Sequence, residues 1–153
     1  RFSRLSLLSA SPGLEGNREA RRQWDADIAA EARSLNAEAF AERWEALPIL
    51  KGATDGEQPW ASRLASRRRN QNGSGLASAM EAIGAGRVEP VWGQLPELTL
   101  PTALLAGERD EKYVDIVRRM APMLPHCRTR LVEGVGHCLP IEAPALCARF
   151  TGL

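Results

Sequence analysis

The sequence lacks a long apolar run, a large excess of charge of either sign and a recognisable targeting segment. Its 20 Lys and Arg residues are balanced by 19 Asp and Glu residues, which leaves a net charge of +1. The basic residues are scattered among acidic ones, so no basic surface for nucleic acid or for an anionic membrane is predicted. No apolar run approaches the length of a transmembrane helix, and the first one is too short for a signal peptide. We therefore expect a cytoplasmic protein without a nucleic-acid or membrane partner.

Cysteine is scarce, and its spacing argues against a disulfide framework and against a metal site. The three cysteines, Cys127, Cys138 and Cys147, include no CxxC pair, which favours a reducing compartment. His126 and His137 lie near them, but no pair has the short spacing that zinc sites usually show. We expect no metal ion at these residues, and we interpret Cys138 as a small buried residue rather than a nucleophile.

Apolar runs with the length of a buried strand occur only near the two ends of the chain. The first ends where Pro12 and Gly13 break the extended pattern, and two more lie beyond Leu100. The residues between them follow a helical pattern. Beyond Leu100 the order strand, helix, strand, helix is typical of a parallel α/β sheet with right-handed crossovers. We predict three parallel strands, near residues 4–9, 102–106 and 129–132.

Capping and breaking residues mark the ends of the predicted helices. Asn36 is suited to cap the second helix, and Pro48 is suited to stop it. Pro59 suits the first turn of the third helix, and Gly84 suits the end of the fourth. The predicted helices cover about residues 18–32, 37–47, 59–69, 75–83, 111–124 and 140–150, the fourth beginning at Ser74 or Gly75.

Two polar residues follow the ends of neighbouring predicted strands. Asp110 lies in GERD, directly after the first strand of the C-terminal part, and His137 lies in a glycine-flanked loop after the second. Parallel strands bring their carboxyl ends to one edge of the sheet, where a carboxylate can hold an imidazole in one tautomer and orientation. The alternatives are that Asp110 only caps the following helix and that His137 is structural.

The sequence also lacks the serine turn that such a pair would need. The order Asp then His is that of α/β-hydrolases, in which a nucleophilic serine comes earlier, on a turn of the form G-x-S-x-G. The closest stretch, NGSGL at residues 72–76, lacks the spacing and the preceding strand, so we interpret it as a helix start. No HG or HGG stretch provides an oxyanion loop. Because the chain begins with Arg1 and almost at once with a strand, we expect a piece of a longer protein whose N-terminal half carries the serine.

Six features together resemble one family of the α/β-hydrolase superfamily. They are SASPGL, the spacing of Arg18, Arg21 and Asp25, FAERWEALPIL, RRRNQNG, GERDEKY and VGHCLPIEAP. Over essentially its whole length the chain is similar to the C-terminal part of the 2-succinyl-6-hydroxy-2,4-cyclohexadiene-1-carboxylate synthases of menaquinone and phylloquinone biosynthesis. The resemblance implies the C-terminal portion of an α/β-hydrolase fold, with three parallel strands and an all-helical cap. Residues 1–14 would then be core strand and loop, residues 15–98 the cap and its return, and residues 99–153 the C-terminal βαβα part of the core.

The resemblance also implies a reaction and residues to perform it. The family are lyases that eliminate pyruvate from 2-succinyl-5-enolpyruvyl-6-hydroxy-3-cyclohexene-1-carboxylate, with no metal or organic cofactor. A Ser-His-Asp triad would abstract the proton, with Asp110 as its acid and His137 as its base. Arg21, Trp44 and Arg68 would bind the polycarboxylate substrate. Arginine suits this task because its planar guanidinium binds carboxylates in a bidentate manner.

Other interpretations of these residues stay open at the level of sequence. Three arginines are consecutive at residues 67–69, so the arginine that contacts substrate could lie one residue before or after Arg68. Arg21 and Asp25 have the spacing of a solvated i, i+4 pair on a helix, and Trp44 suits a hydrophobic core.

Other functions also stay open. The chain could belong to a C–C bond hydrolase or a carboxylesterase of the same fold, or be a non-catalytic fragment or the binding half of a split protein. Without its N-terminal half, we expect the isolated chain to self-associate through an uncovered sheet edge and to eliminate no pyruvate.

Overall fold

The computed structural model describes residues 2–50 and 61–151, which form two units. The sheet unit consists of residues 2–11, 48–50 and 91–151, and the helical unit consists of residues 12–47 and 61–90. The helix start predicted at Pro59 lies outside the described residues. Within the described ranges, every helix is too short or too polar to cross a lipid bilayer.

Four α-helices form the described part of the helical unit. They are α1 (Arg18–Ser34), α2 (Ala37–Glu45), α3 (Ala61–Arg69) and α4 (Gly73–Ile83). Asn36 caps α2 as predicted, because its side-chain oxygen accepts a 2.9 Å hydrogen bond from the N–H of Ala39. The predicted start of α4 is wrong. Asn72 accepts a 3.1 Å hydrogen bond from the N–H of Gly75, so the helix begins earlier, at Gly73.

Small residues let α1 and α4 approach each other closely. Ala29, Ala32 and Ala77 are all buried in the core of the helical unit. Gly73 begins α4 directly against α1, and a side chain there would overlap the carbonyl oxygen of Ala32. This contact joins α4 firmly to the helix that carries Arg21.

Three parallel strands form the sheet among the described residues, as the sequence predicts. They are β1 (Leu5–Leu8), β2 (Thr102–Gly107) and β3 (Cys127–Val132), in the spatial order β1-β2-β3. All six residues of β2 are buried, because this strand is central and both of its faces are covered. Gly107 is paired with Val132, so β2 and β3 end side by side.

The helices of the sheet unit are shorter than predicted. They are α5 (Glu111–Met120), α6 (Leu139–Glu142) and α7 (Pro144–Thr151), with 3-10 helices at Pro48–Leu50, Trp92–Glu97 and Ala121–Met123. The prediction that α5 would reach residue 124 is wrong, because Pro122 has no N–H with which to continue it. The prediction of one helix over residues 140–150 is also wrong, because Pro144 begins a new helix. The short α6 follows the loop that carries His137 directly.

Alternate residues of β2 pack into two separate apolar clusters. Leu104 faces α5 and belongs to the cluster that includes Val117. Leu105 faces the opposite side of the sheet and packs with Val132 and Leu139. This alternation is the one expected of a strand, and it covers the sheet on both sides.

We expect Leu105→Ala to lower the free energy of unfolding by about 2–5 kcal/mol, because this fully buried side chain would leave a cavity. Leu131→Ala is the matched control. Leu131 is 40% exposed, so its truncation should cost about 1 kcal/mol or less. Urea denaturation followed by tryptophan fluorescence measures both. Equal costs for the two variants would contradict the central position of β2.

Candidate active site and carboxylate-binding residues

Asp110 lies between β2 and α5, directly before the first residue of α5. Its N–H donates to the carbonyl of Gly107 at 3.0 Å, and its own carbonyl accepts hydrogen bonds from the N–H groups of Tyr113 and Val114. Asp110 therefore occupies the N-cap position, but its side chain makes no capping hydrogen bond to the described residues of the helix. The interpretation of Asp110 as a helix cap alone is wrong.

The partner of the Asp110 carboxylate is His137. Asp110 Oδ2 lies 2.7 Å from His137 Nδ1, within hydrogen-bond distance as predicted, but the further expectation that the absence of the serine would leave this contact loose is wrong. Because an ionised carboxylate can only accept, Nδ1 carries the proton in such a pair, and Nε2 keeps a lone pair that can take up another proton. The His137 side chain is 23% exposed and that of Asp110 only 7%. The Tyr113 ring packs beside the imidazole, with 4.6 Å between ring centres.

Sequence reasoning missed Glu142, which holds the backbone on both sides of His137. Glu142 Oε2 accepts from the N–H of Gly136 at 2.7 Å, and Oε1 accepts from the N–H of Cys138 at 3.0 Å. Hydrogen bonds to a carboxylate are stronger than neutral ones. The sequence signal that could have revealed it is a glutamate four residues after the N-cap Cys138, close to the spacing of a capping box, in which an acidic side chain accepts from preceding N–H groups. The two bonds fix the loop that presents the imidazole.

The loops after β2 and β3 approach each other through their backbones. The N–H of Arg109 donates to the carbonyl of Val135 at 3.0 Å. Gly107 makes this approach possible, since a Cβ there would overlap the carbonyl oxygens of Val135 and Gly136. Because the same two loops carry the Asp–His pair, their approach sets the distance within the pair.

Trp44 and Arg68 line one cavity of the helical unit, with a volume of about 150 Å³. The other lining residues are mostly apolar and are Phe40, Ala41, Gln71, Leu76 and Met80. Trp44 also stacks with Phe40 at 6.0 Å and packs against the core, which confirms its interpretation as a core residue; its contact with substrate stays a prediction. Within the run 67–69, Arg68 is the residue at this cavity, and its Nη1 lies 3.2 Å from Glu45 Oε1.

Arg21 lies elsewhere in the helical unit and does not line this cavity. Its Nε donates to Asp25 Oδ1 at 2.8 Å. The i, i+4 pair is confirmed, but only one of its partners is solvated: the Arg21 side chain is 34% exposed, whereas Asp25 is 2% exposed. The structure thus brings Asp110 together with His137, and Trp44 together with Arg68. That all five predicted residues face one crevice stays a prediction.

Cys138 is partly exposed rather than buried as predicted, and the other two thiols give no sign of a metal ligand or a nucleophile. Burial raises the pKa of the Cys147 and Cys127 thiols, which keeps both in the neutral form that is a poor nucleophile and a poor ligand. Within residues 2–50 and 61–151, no three histidine, cysteine or acidic side chains are grouped as a metal site would require. The Asp–His pair is therefore the best candidate for chemistry in the sheet unit.

Comparison with known proteins agrees with this architecture. A model described as the alpha/beta hydrolase family matches residues 2–150. The chain belongs to the alpha/beta hydrolase family. It is 32% identical over 148 residues to a protein of Bacillus subtilis strain 168, provisionally named 2-succinyl-6-hydroxy-2,4-cyclohexadiene-1-carboxylate synthase. That match covers 95% of this chain and 54% of its relative, so the chain spans about half the length of the curated relative it matches.

Two solved structures are similar to this chain over almost its whole length. The structure of MenH from S. aureus has a TM-score of 0.92 at 30% identity, over 99% of this chain and 58% of that one. A thermophilic esterase from Thermogutta terrifontis has a TM-score of 0.80 at 20% identity, over 97% of this chain and 54% of that one. The second likeness concerns the fold alone.

We expect Gly107→Ala to separate Asp110 from His137 and to lower stability by about 1–3 kcal/mol, because the added methyl group would overlap two carbonyl oxygens. Gly93→Ala is the matched control. A Cβ at Gly93 has no heavy atom within 4 Å, so this change should alter stability by about 1 kcal/mol or less. Proton NMR should show the hydrogen-bonded His137 Nδ1 proton far downfield in the parent and the control. An unchanged signal in Gly107→Ala would argue against the importance of the close approach.

Glu142→Gln should lower the free energy of unfolding by about 1.5–3 kcal/mol, because it replaces a charged double acceptor by an amide with one acceptor oxygen. The same downfield His137 signal should broaden, since the loop around the imidazole is then less constrained. Glu133→Gln, an exposed carboxylate in the same loop, is the control and should leave both measurements unchanged. If the two variants behave alike, Glu142 does not hold the loop.

Proposed function

We propose that this chain is the C-terminal part of a lyase of menaquinone or phylloquinone biosynthesis. The lyase would eliminate pyruvate from 2-succinyl-5-enolpyruvyl-6-hydroxy-3-cyclohexene-1-carboxylate. The observation that carries the proposal is the 2.7 Å pair of Asp110 and His137 at the ends of adjacent parallel strands. The similarity to the B. subtilis synthase supports this substrate, and the alpha/beta hydrolase fold supports a triad.

The proposed chemistry needs a base and no added water. The proton leaves C2 of the ring and its electron pair forms a C2=C3 double bond. The existing C3=C4 double bond shifts to C4=C5, and the C5–O bond to the enolpyruvyl group breaks. The departing enolate takes up a proton and becomes pyruvate. His137 receives the abstracted proton, directly or through the triad serine, and Asp110 stabilises the imidazolium and keeps its orientation.

The substrate carries several carboxylates, so cations must orient it. We propose that Arg21 and Arg68 bind these carboxylates and that Trp44 contacts the carbon skeleton. Arg68 lies at the wall of a mostly apolar cavity, where a guanidinium has fewer competing waters than on an open surface. The nearby Glu45 accepts at one Arg68 nitrogen and leaves others for a ligand.

We propose that the activity also needs an N-terminal half of the same fold. The sequence contains no G-x-S-x-G turn, and the triad of this family requires a serine on such a turn. In this proposal residues 15–98 serve as the helical cap and residues 99–153 complete the core. The N-terminal half would supply the serine and the oxyanion donors.

Asp110→Asn should lower kcat for pyruvate release about 10³- to 10⁴-fold, because the amide favours the wrong tautomer of His137. The chain would be co-expressed with an N-terminal half that carries the serine turn, and pyruvate would be measured with lactate dehydrogenase and NADH. Asp115→Asn is the matched control on α5. Its side chain is 73% exposed, and Arg118 is its one ion-pair partner among the described residues, so the rate should not change.

Two results would contradict the proposed function. Pyruvate release by the isolated 153-residue chain, at a rate comparable to full-length relatives, would mean that no serine-bearing half is needed. Hydrolysis of esters or C–C bonds without any pyruvate release would favour a hydrolase of the same fold.

A further inference from the structure

The guanidinium of Arg21 is held from two directions within the helical unit. Its Nε donates to Asp25 Oδ1 at 2.8 Å, and its central carbon lies 4.5 Å from the centre of the Trp24 ring. Among the described residues, the terminal nitrogens Nη1 and Nη2 have no hydrogen-bond partner. The Arg21 side chain is 34% exposed, so these nitrogens remain available to a ligand.

The carboxylate of Asp25 is itself fixed from the opposite side. Its Oδ2 accepts a hydrogen bond of 3.3 Å from the N–H of Gly86. The segment that contains Gly84 and Gly86 runs close against α1. A Cβ at Gly84 would overlap Asp25 Oδ2, and one at Gly86 would meet the backbone of Arg22. A buried carboxylate with one donor on each oxygen cannot turn away from Arg21 without losing a bond.

Arg33, on the same helix, shows the contrasting arrangement. Its two terminal nitrogens each lie 2.6 Å from an oxygen of Glu81. A protein carboxylate thus already occupies the Arg33 fork, and both side chains are exposed. Arg21 differs because the protein holds it through Nε and leaves the fork open.

We propose that Asp25 is a positioning residue that holds Arg21 through Nε, so that Nη1 and Nη2 form a pre-oriented fork for one carboxylate of the ligand. The proposal rests on the proposed function, in which Arg21 binds a carboxylate of the substrate. An arginine that is already ordered loses less conformational freedom when the ligand binds. The Trp24 ring covers one face of the guanidinium, so the carboxylate approaches in its plane, where two parallel hydrogen bonds form.

Asp25→Asn tests this proposal in the chain co-expressed with an N-terminal half that carries the serine turn. The probe is the product of the proposed reaction, 2-succinyl-6-hydroxy-2,4-cyclohexadiene-1-carboxylate, and its binding is followed by tryptophan fluorescence. We expect affinity to fall about 3- to 10-fold, because the ligand must now order the arginine itself. Glu81→Gln is the matched control, since it removes the carboxylate partner of Arg33, and affinity should stay within about 2-fold.

A double variant separates positioning from a general effect on folding. Arg21→Lys removes the Nε–H and the fork but leaves the bond between Asp25 and Gly86. In that background Asp25→Asn should change the affinity by less than about 2-fold, because there is no fork left to position. An equal loss in both backgrounds would overturn the proposal.

The wild-type chain provides a second test that needs no variant to fold. NMR of arginine side chains should show that the Arg21 Nε–H exchanges with water several-fold more slowly than that of Arg33. Equal exchange rates would mean that Asp25 does not restrain the Arg21 side chain, and would overturn the proposal.

Tight probe binding that Asp25→Asn leaves unchanged would overturn the inference and leave the proposed function intact. Slow exchange without any probe binding by the chain co-expressed with an N-terminal half would overturn the proposed function, while the hydrogen bond between Asp25 and Arg21 would stand.

Discussion

The close approach of the two loops at Gly107 is the constraint on which the candidate active site depends. Asp110 and His137 follow different strands, and the parallel register alone only brings the strand ends side by side. The two loops approach each other more closely because Gly107 has no side chain, so the backbone carbonyls after β3 pack directly against the end of β2. Glu142 then fixes the part of the loop that carries the imidazole.

Much of this arrangement could be predicted from the sequence, because its signals are local. The apolar runs locate the strands, and Asn36 marks the start of α2 by its capping chemistry. That Asp110 and His137 lie at the same edge of the sheet follows from one general rule about the carboxyl ends of parallel strands. The predicted roles of the carboxylate and the imidazole follow from the chemistry of the two side chains and need no further information about the fold.

The remaining features could not be predicted, because they depend on residues distant in sequence. The spacing of Arg21 and Asp25 is equally compatible with an exposed ion pair. Asp25 is buried because the segment around Gly84 and Gly86 packs against α1, and nothing in the spacing indicates that packing. Similarly, the run of arginines does not indicate which one lies at the cavity, since only the packing of α3 decides it.

The loop between β3 and α6 has consequences for how the sequence can vary. Residues 133–138 are tied to the rest of the sheet unit at the carbonyl of Val135 and at the N–H groups of Gly136 and Cys138. Because these hydrogen bonds are so closely spaced along the chain, a single inserted or deleted residue would break at least one of them and turn His137 away from Asp110. Substitutions at exposed positions such as Glu133 keep the backbone length and can accumulate. In homologues that use the same pair, we expect this loop to vary in composition but not in length.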